Sequence, residues 1–206
     1  MFSPDVNRAG CFLDNREERG DRVPSADPGA GADRSRDSTA RRLREVAAGS
    51  HEAFEALYRE TAPSVGRYLA SLGATHPLLS DLLQDTYLAV WRDAGRYVGP
   101  AAPLAWILGI ARHKLGDYWR TNREIPVKDP RPETADVAQT GYEAARVAEV
   151  LAALSPADRE LVQLVFGADL GYRDVARLLD VPVGTVKSRV FRLRKMVREW
   201  EGTHAD

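Results

Sequence analysis

The sequence is poor in cysteine, holding only Cys11 among 206 residues. A lone thiol closes no intrachain disulfide and builds no multi-cysteine metal site, which fits a reducing compartment. Cys11 therefore reads as an inert thiol, and neither a metal nor a cofactor is expected. An excess of one charge is missing as well, since 29 basic residues stand against 30 acidic ones. The whole-chain balance announces no nucleic-acid partner, and any electrostatic case has to be local. No apolar run approaches the roughly 18 to 20 residues of a membrane span, and the N-terminus lacks the pattern of a secretion signal. A protein that stays in the cytoplasm is expected. No stretch alternates at period two for long enough to make a sheet. What remains is an all-α chain of two small helical domains joined by a flexible linker.

The chain divides by composition. Residues 1–40 hold eight acids and six bases with only Phe2 and Phe12 as aromatics, too little apolar surface to offset the entropy of ordering, so a disordered extension is expected. A linker is expected over 121–141, where Pro126, Pro130 and Pro132 sit among charged and small residues. The domains fall at 41–120 and 142–202. In the first, Phe54, Leu57 and Tyr58 begin an apolar stripe, Pro63 kinks or splits the helix, and Val65, Tyr68, Leu69 and Leu72 resume it before Gly73. Leu79, Leu82, Leu83, Thr86, Tyr87, Val90 and Trp91 then define one buried face. Asp81, Gln84, Asp85, Leu88 and Arg92 lie on the other. After a Gly/Pro loop, 104–119 reads as a third, apolar helix in which Trp106, Tyr118 and Trp119, like Trp91, are core residues.

In the second domain Val147, Val150, Leu151 and Leu154 share a face, and Ser155, Pro156 and Asp158 form a helix start. That helix stops at Gly167. Two more, about 172–179 and 183–200, are joined by a short turn. Ala176, Asp180 and Val186 sit at the offsets that a helix-turn-helix needs for its small contact residue, its left-handed turn and its apolar anchor. Between Gly184 and Arg198 stand six bases and no acid, whereas an ordinary solvated helix mixes signs to gain i, i+4 pairs. With Val186, Val190, Leu193 and Val197 turned inward, Lys187, Ser188, Phe191 and Arg192 face outward at the end that enters a major groove. Lys187 or Arg192 suits guanine O6 and N7, Phe191 a thymine methyl, and Ser188 either kind of base. Gly184 and Thr185 open the helix, where backbone meets phosphate. Arg189, Arg194 and Lys195 suit phosphates, which position without specifying.

These residues resemble a known family. LSPADRELVQLVF, YRDVARLLDVPVGTVKSR and FRLRK resemble region 4 of the extracytoplasmic-function sigma factors of the sigma-70 family. FEALYRETAPSVGRYL, DLLQDTYLAVWR and PLAWILGIARHKLGDYWR resemble region 2, in the same order. The resemblance implies a promoter-specificity factor for bacterial RNA polymerase, with region 4 reading the minus-35 element and contacting the β flap. It implies that the face of Asp81, Gln84, Asp85, Leu88 and Arg92 docks on the β′ clamp helices. It implies minus-10 melting and reading by Tyr97, His113 and Asp117, with Arg112, Lys114, Arg120 and Arg123 along the backbone, and an anti-sigma factor as a further partner. Family members commonly carry Asn where His113 stands, and Asp-Leu-Val-Gln-Glu where 81–85 reads Asp-Leu-Leu-Gln-Asp. Two other classes fit less well. A stand-alone helix-turn-helix regulator would carry a sensing domain with strands. An enzyme would need convergent catalytic groups or a phosphate-loop spacing that 95–103 lacks.

Overall fold

The computed structural model describes residues 32–99, 101–122, 151 and 153–203. The first unit contains α1 (Ala32–Ala47), α2 (His51–Ser71), α3 (His76–Asp93) and α4 (Pro103–Thr121), with a 3-10 turn over Ala94–Arg96. The second contains α5 (Pro156–Val162), which widens into a π turn over Gln163–Gly167, then α6 (Tyr172–Leu179) and α7 (Val183–Thr203). Among the described residues there is no strand.

Helix α1 corrects the expected extent of disorder, because residues 32–40 are helical rather than part of an unstructured extension. Composition misled there because it ignores spacing. Thr39, Leu43 and Val46 fall at i, i+4 and i+7 and are all buried, and the charges have partners, Arg42 pairing with Glu60 of α2 and Arg36 with Asp174 of α6. Residues 1–31 lie outside the described residues, as do 123–141 of the expected linker and Val147 and Val150 of the face that follows it.

Helix α2 runs unbroken through Pro63, so the proline does not split it. Pro63 is exposed, while Thr61, Ala62 and Val65 on either side of it are buried. Both halves are thus held on one core, and the hydrogen bond that proline cannot donate is lost on the solvent side. The helix starts with the Ser50 hydroxyl accepting from Ala53 N and ends where Gly73 turns to φ 93° and Ala74 N reaches back to Leu69 O, a Schellman closure. Leu57, Val65 and Leu69 of α2, Val90 of α3, and Ile107, Leu108 and Ala111 of α4 are all at 0 % exposure. Each large one contributes about 1.5–3 kcal/mol of burial.

The predicted face of α3 is turned inward, with Leu82, Thr86, Tyr87 and Val90 buried and Leu79, Leu83 and Trp91 partly so. Trp106 and Trp119 also pack against this core. In the second unit the Ser155 hydroxyl accepts from Asp158 N, with Pro156 at the first helical position. Leu161, Leu164 and Val165 then form a core with Val175, Val186 and Val190. The two units meet where the π turn and α5 lie on α2, and α6 lies on α4.

Candidate nucleic-acid interface

The turn between α6 and α7 has the geometry its residues require. Asp180 sits at φ 55°, ψ 50°, in the left-handed region, and its N–H reaches back to Ala176 O and Arg177 O. Ala176 is buried where the helices touch, and Val186 anchors α7 at 1 % exposure. Val190 and Leu193 continue that buried stripe, while Val197 is half-buried.

The opposite face of α7 carries the basic groups. Lys187, Ser188, Phe191, Arg192, Arg194 and Lys195 are all exposed, Thr185 is half-buried, and Phe191 stands 57 % exposed. A side chain at Gly184 would meet no atom within 4 Å, so the helix opens onto clear space. The Ser188 hydroxyl donates to Thr185 O. Arg194 lies over the Phe166 ring with its guanidinium carbon 5.6 Å from the centroid, and Lys195 pairs with Glu199 at 3.6 Å.

Arg189 is placed differently from the others. Its Nε and Nη2 both donate to Asp158 Oδ1, at 3.2 and 2.7 Å, and its side chain is only 21 % exposed. Burial pushes the Asp158 carboxyl up, but the Ser155 hydroxyl, Arg189 and Arg192 outweigh it and hold that carboxyl below its ordinary range. Arg189 therefore braces α7 against the start of α5, a structural role beside the phosphate contact expected of it. Sequence alone hides this because Asp158 is 31 positions away.

The face of α3 that carries Asp81, Gln84, Asp85, Leu88 and Arg92 is exposed along its length, with Leu88 at 59 %. Arg92 donates to the neighbouring Asp93, whose carboxyl this pairing holds below its ordinary range.

On α4 both arginines, Arg112 and Arg120, have an acid partner. Tyr97 is half-buried against Trp106, its hydroxyl donating to Ala101 O at 2.7 Å. Burial raises its phenol above the ordinary range. His113 and Asp117 face each other at 3.4 Å, one turn apart, and Arg120 pairs with the same Asp117. Lys114 is half-buried, and Arg123 lies outside the described residues. Arg112 Nε donates to Glu160 Oε1 of α5 at 2.9 Å. Burial pulls the Arg112 guanidinium down, but Glu160 more than restores it.

Sequence reasoning missed two acids. Glu160 and Asp174 are both buried. Glu160 falls four positions before the buried Leu164 and next to Leu161, so a carboxylate at apolar-stripe spacing was the available signal. Among the described residues no cluster of His, Cys, Asp or Glu is suited to a metal, and no helix is long and apolar enough to cross a membrane.

Two family models match the chain, "Sigma-70 region 2" over residues 57–125 and "Sigma-70, region 4" over 144–197. The ECF RNA polymerase sigma factor RpoE of Cereibacter sphaeroides is 32% identical over 145 residues, covering 67% of this chain and 80% of that protein. The ECF RNA polymerase sigma factor SigC of Mycobacterium tuberculosis is 33% identical over 155 residues, covering 72% and 83%. Among solved structures, RpoE of Bartonella quintana, in complex with the anti-sigma factor NepR, superposes with a TM-score of 0.55 at 25% identity, covering 71% of this chain and 94% of that one. CnrH, in complex with the cytosolic domain of CnrY, has the same fold, with a TM-score of 0.59 at 22% identity, covering 81% and 99%.

Proposed function

The chain belongs to the extracytoplasmic-function RNA polymerase sigma factors, transcription initiation factors that direct core polymerase to selected promoters, and from that premise we propose how its residues divide the work. The second unit reads the minus-35 element through α7. Lys187, Ser188, Phe191 and Arg192 face base edges, while Gly184, Thr185, Arg194 and Lys195 meet the backbone. The observation that carries this is the turn at Asp180 combined with an acid-free, outward row of bases on the helix that the turn presents. Arg189 holds that helix in place.

The first unit engages polymerase and opens the duplex. The face of Asp81, Gln84, Asp85, Leu88 and Arg92 suits the β′ clamp helices, because an exposed leucine ringed by charge is the pattern of a polar-rimmed protein contact. The second unit meets the β flap. The Tyr97 loop and His113 with Asp117 receive extruded minus-10 bases, and Arg112, Lys114 and Arg120 follow the strand. The related RpoE was solved with an anti-sigma factor, which supports the same class of partner for this chain, acting in the cytoplasm. RNA synthesis belongs to the polymerase.

Runoff transcription tests the reading. Core polymerase with the full chain is expected to initiate from a narrow set of promoters, while the chain alone binds duplex weakly. Transcription no different from that of core alone would refute it.

A further inference from the structure

Two arginines tie α7 to α5, and they use their guanidinium groups differently. Arg189 spends its N–H groups at the start of α5, donating from Nε and Nη2 to Asp158 Oδ1. Arg194 meets the other end, where its guanidinium carbon stands 5.6 Å from the centroid of the Phe166 ring. Attraction of a cation to an aromatic face takes up no hydrogen-bond donor. Arg194 is exposed, and none of its guanidinium N–H groups donates to an acceptor among the described residues. It is held in place with its donors unspent.

The ring that holds it stands on a fixed support. The π turn is closed by Ala168 N donating to Gln163 O at 2.8 Å and by Leu170 N donating to Leu164 O at 3.1 Å. Leu164 and Val165 anchor it at 0 % and 1 % exposure, whereas Phe166 turns outward and stands 37 % exposed. The Gln163 carboxamide lies across Gly167, where a Cβ would meet its oxygen. A wide turn of this kind is a frequent companion of functional sites. Along α7, Arg194 follows Gly184 by ten positions, about 15 Å of helix. Two backbone contacts that far apart fix the tilt of a helix in a groove, which neither fixes alone.

We propose that Phe166 is a positioning residue for minus-35 binding, holding the Arg194 guanidinium where the duplex backbone passes and so setting the tilt at which α7 enters the major groove. This rests on the assignment of Arg194 to the backbone. An exposed arginine ordinarily gives up rotamer freedom when it meets a phosphate, and one already held over a ring has less to lose. Phosphates carry no sequence information, so the ring contributes affinity without changing base preference.

The test uses holoenzyme assembled from core polymerase and the full chain. Its ligand is a fluorescein-labelled duplex from a promoter that runoff transcription selects, followed by anisotropy. Phe166→Leu should weaken binding about two- to fivefold, equally across single-base variants of the minus-35 element. Phe166→Tyr keeps the ring and should bind as wild type. Arg194→Ala should bind more weakly still, with a log–log salt slope shallower by about 0.9 for the one phosphate lost. Added to Arg194→Ala, Phe166→Leu should cost nothing further. Urea unfolding shows which variants keep the turn, and Phe166→Met replaces Phe166→Leu if leucine disturbs it. Wild-type affinity in a folded variant without the ring overturns the positioning and leaves Arg194 on the backbone. A loss as large with Arg194→Ala as without it also overturns it, because the ring would then act by another route. Wild-type affinity and slope in Arg194→Ala overturn the assignment of Arg194 itself.

Discussion

Helices α4 and α7 are both assigned to DNA, yet they carry their positive charge in opposite ways. Along α7 the bases between Gly184 and Arg198 meet no acid within that stretch, and Lys187 and Arg192 point to solvent. Along α4 the charge is compensated, Arg112 by Glu160 of the other unit and Arg120 by Asp117 of the same helix. On α7 Arg189 and Lys195 have acid partners but Lys187 and Arg192 stand exposed, whereas both arginines of α4 are paired. The contrast suits the order of events at a promoter, in which duplex is met before any strand has been opened. It also reconciles a near-neutral chain with the two DNA-facing surfaces proposed for it.

The largest effect expected bears on how far the two units share a fold. Leu164 is at 0 % exposure in the π turn that lies on α2, so Leu164→Ala should cost about 2–5 kcal/mol in urea unfolding. If the first unit melts unchanged while only the second loses stability, the units are independent and the comparison of α4 with α7 is one of separate domains. Next comes specificity. Arg192→Ala should cost about 1–3 kcal/mol at one minus-35 position, read by binding to a panel of single-base promoter variants. A loss spread evenly over the panel would make Arg192 a phosphate contact. Arg189→Ala should behave in the opposite way, lowering stability by about 1–2 kcal/mol through loss of its charged hydrogen bonds while leaving base preference alone.

The brace that Arg189 makes also sets a pH dependence. The Asp158 carboxyl titrates below its ordinary range once folded, so the unfolded chain takes up that proton first as acid is added. The stability it contributes is complete above the unfolded value of about 3.9 and fades as pH falls through the lower folded value. Wild type should therefore exceed Asp158→Asn in stability by a constant margin above about pH 5, and the margin should shrink below about pH 4. A margin independent of pH down to the acid limit would show that the pair is not what holds α7.

Legibility from sequence differed between the two helices for the same reason. The helix-turn-helix geometry of α6 and α7 could be read because its determinants are local: a turn residue, a small residue and an apolar anchor at fixed offsets. Asp180 is left-handed, and Ala176 and Val186 are buried, as those offsets require. Helices α2, α3 and α4 were also legible, since their periodicity is set by one buried face each. What was not legible depends on partners far along the chain. Arg36, Arg112, Arg189, Glu160 and Asp174 are ordinary charged residues in the sequence, and only the fold pairs Arg36 with Asp174, Arg112 with Glu160 and Arg189 with Asp158, each within 3 Å. The helical nature of 32–40 was hidden in the same way, because Arg36 and Arg42 pair with other elements.

The smallest effect concerns the turn itself. Asp180 adopts φ 55° without the freedom of glycine, and an L-residue pays for left-handed backbone, though aspartate less than most. Asp180→Gly relieves that strain but gives the unfolded chain more conformations to lose, so the two changes oppose each other. A net gain of less than about 1 kcal/mol is expected, seen as a small rise in melting temperature. The angle between α6 and α7 is fixed by Ala176 and Val186 rather than by the side chain at 180, so affinity for a minus-35 duplex should not change. If Asp180→Gly weakened duplex binding while raising stability, the aspartate would be holding the orientation of α7, and the open presentation of that helix would depend on the turn as well as on its buried stripe.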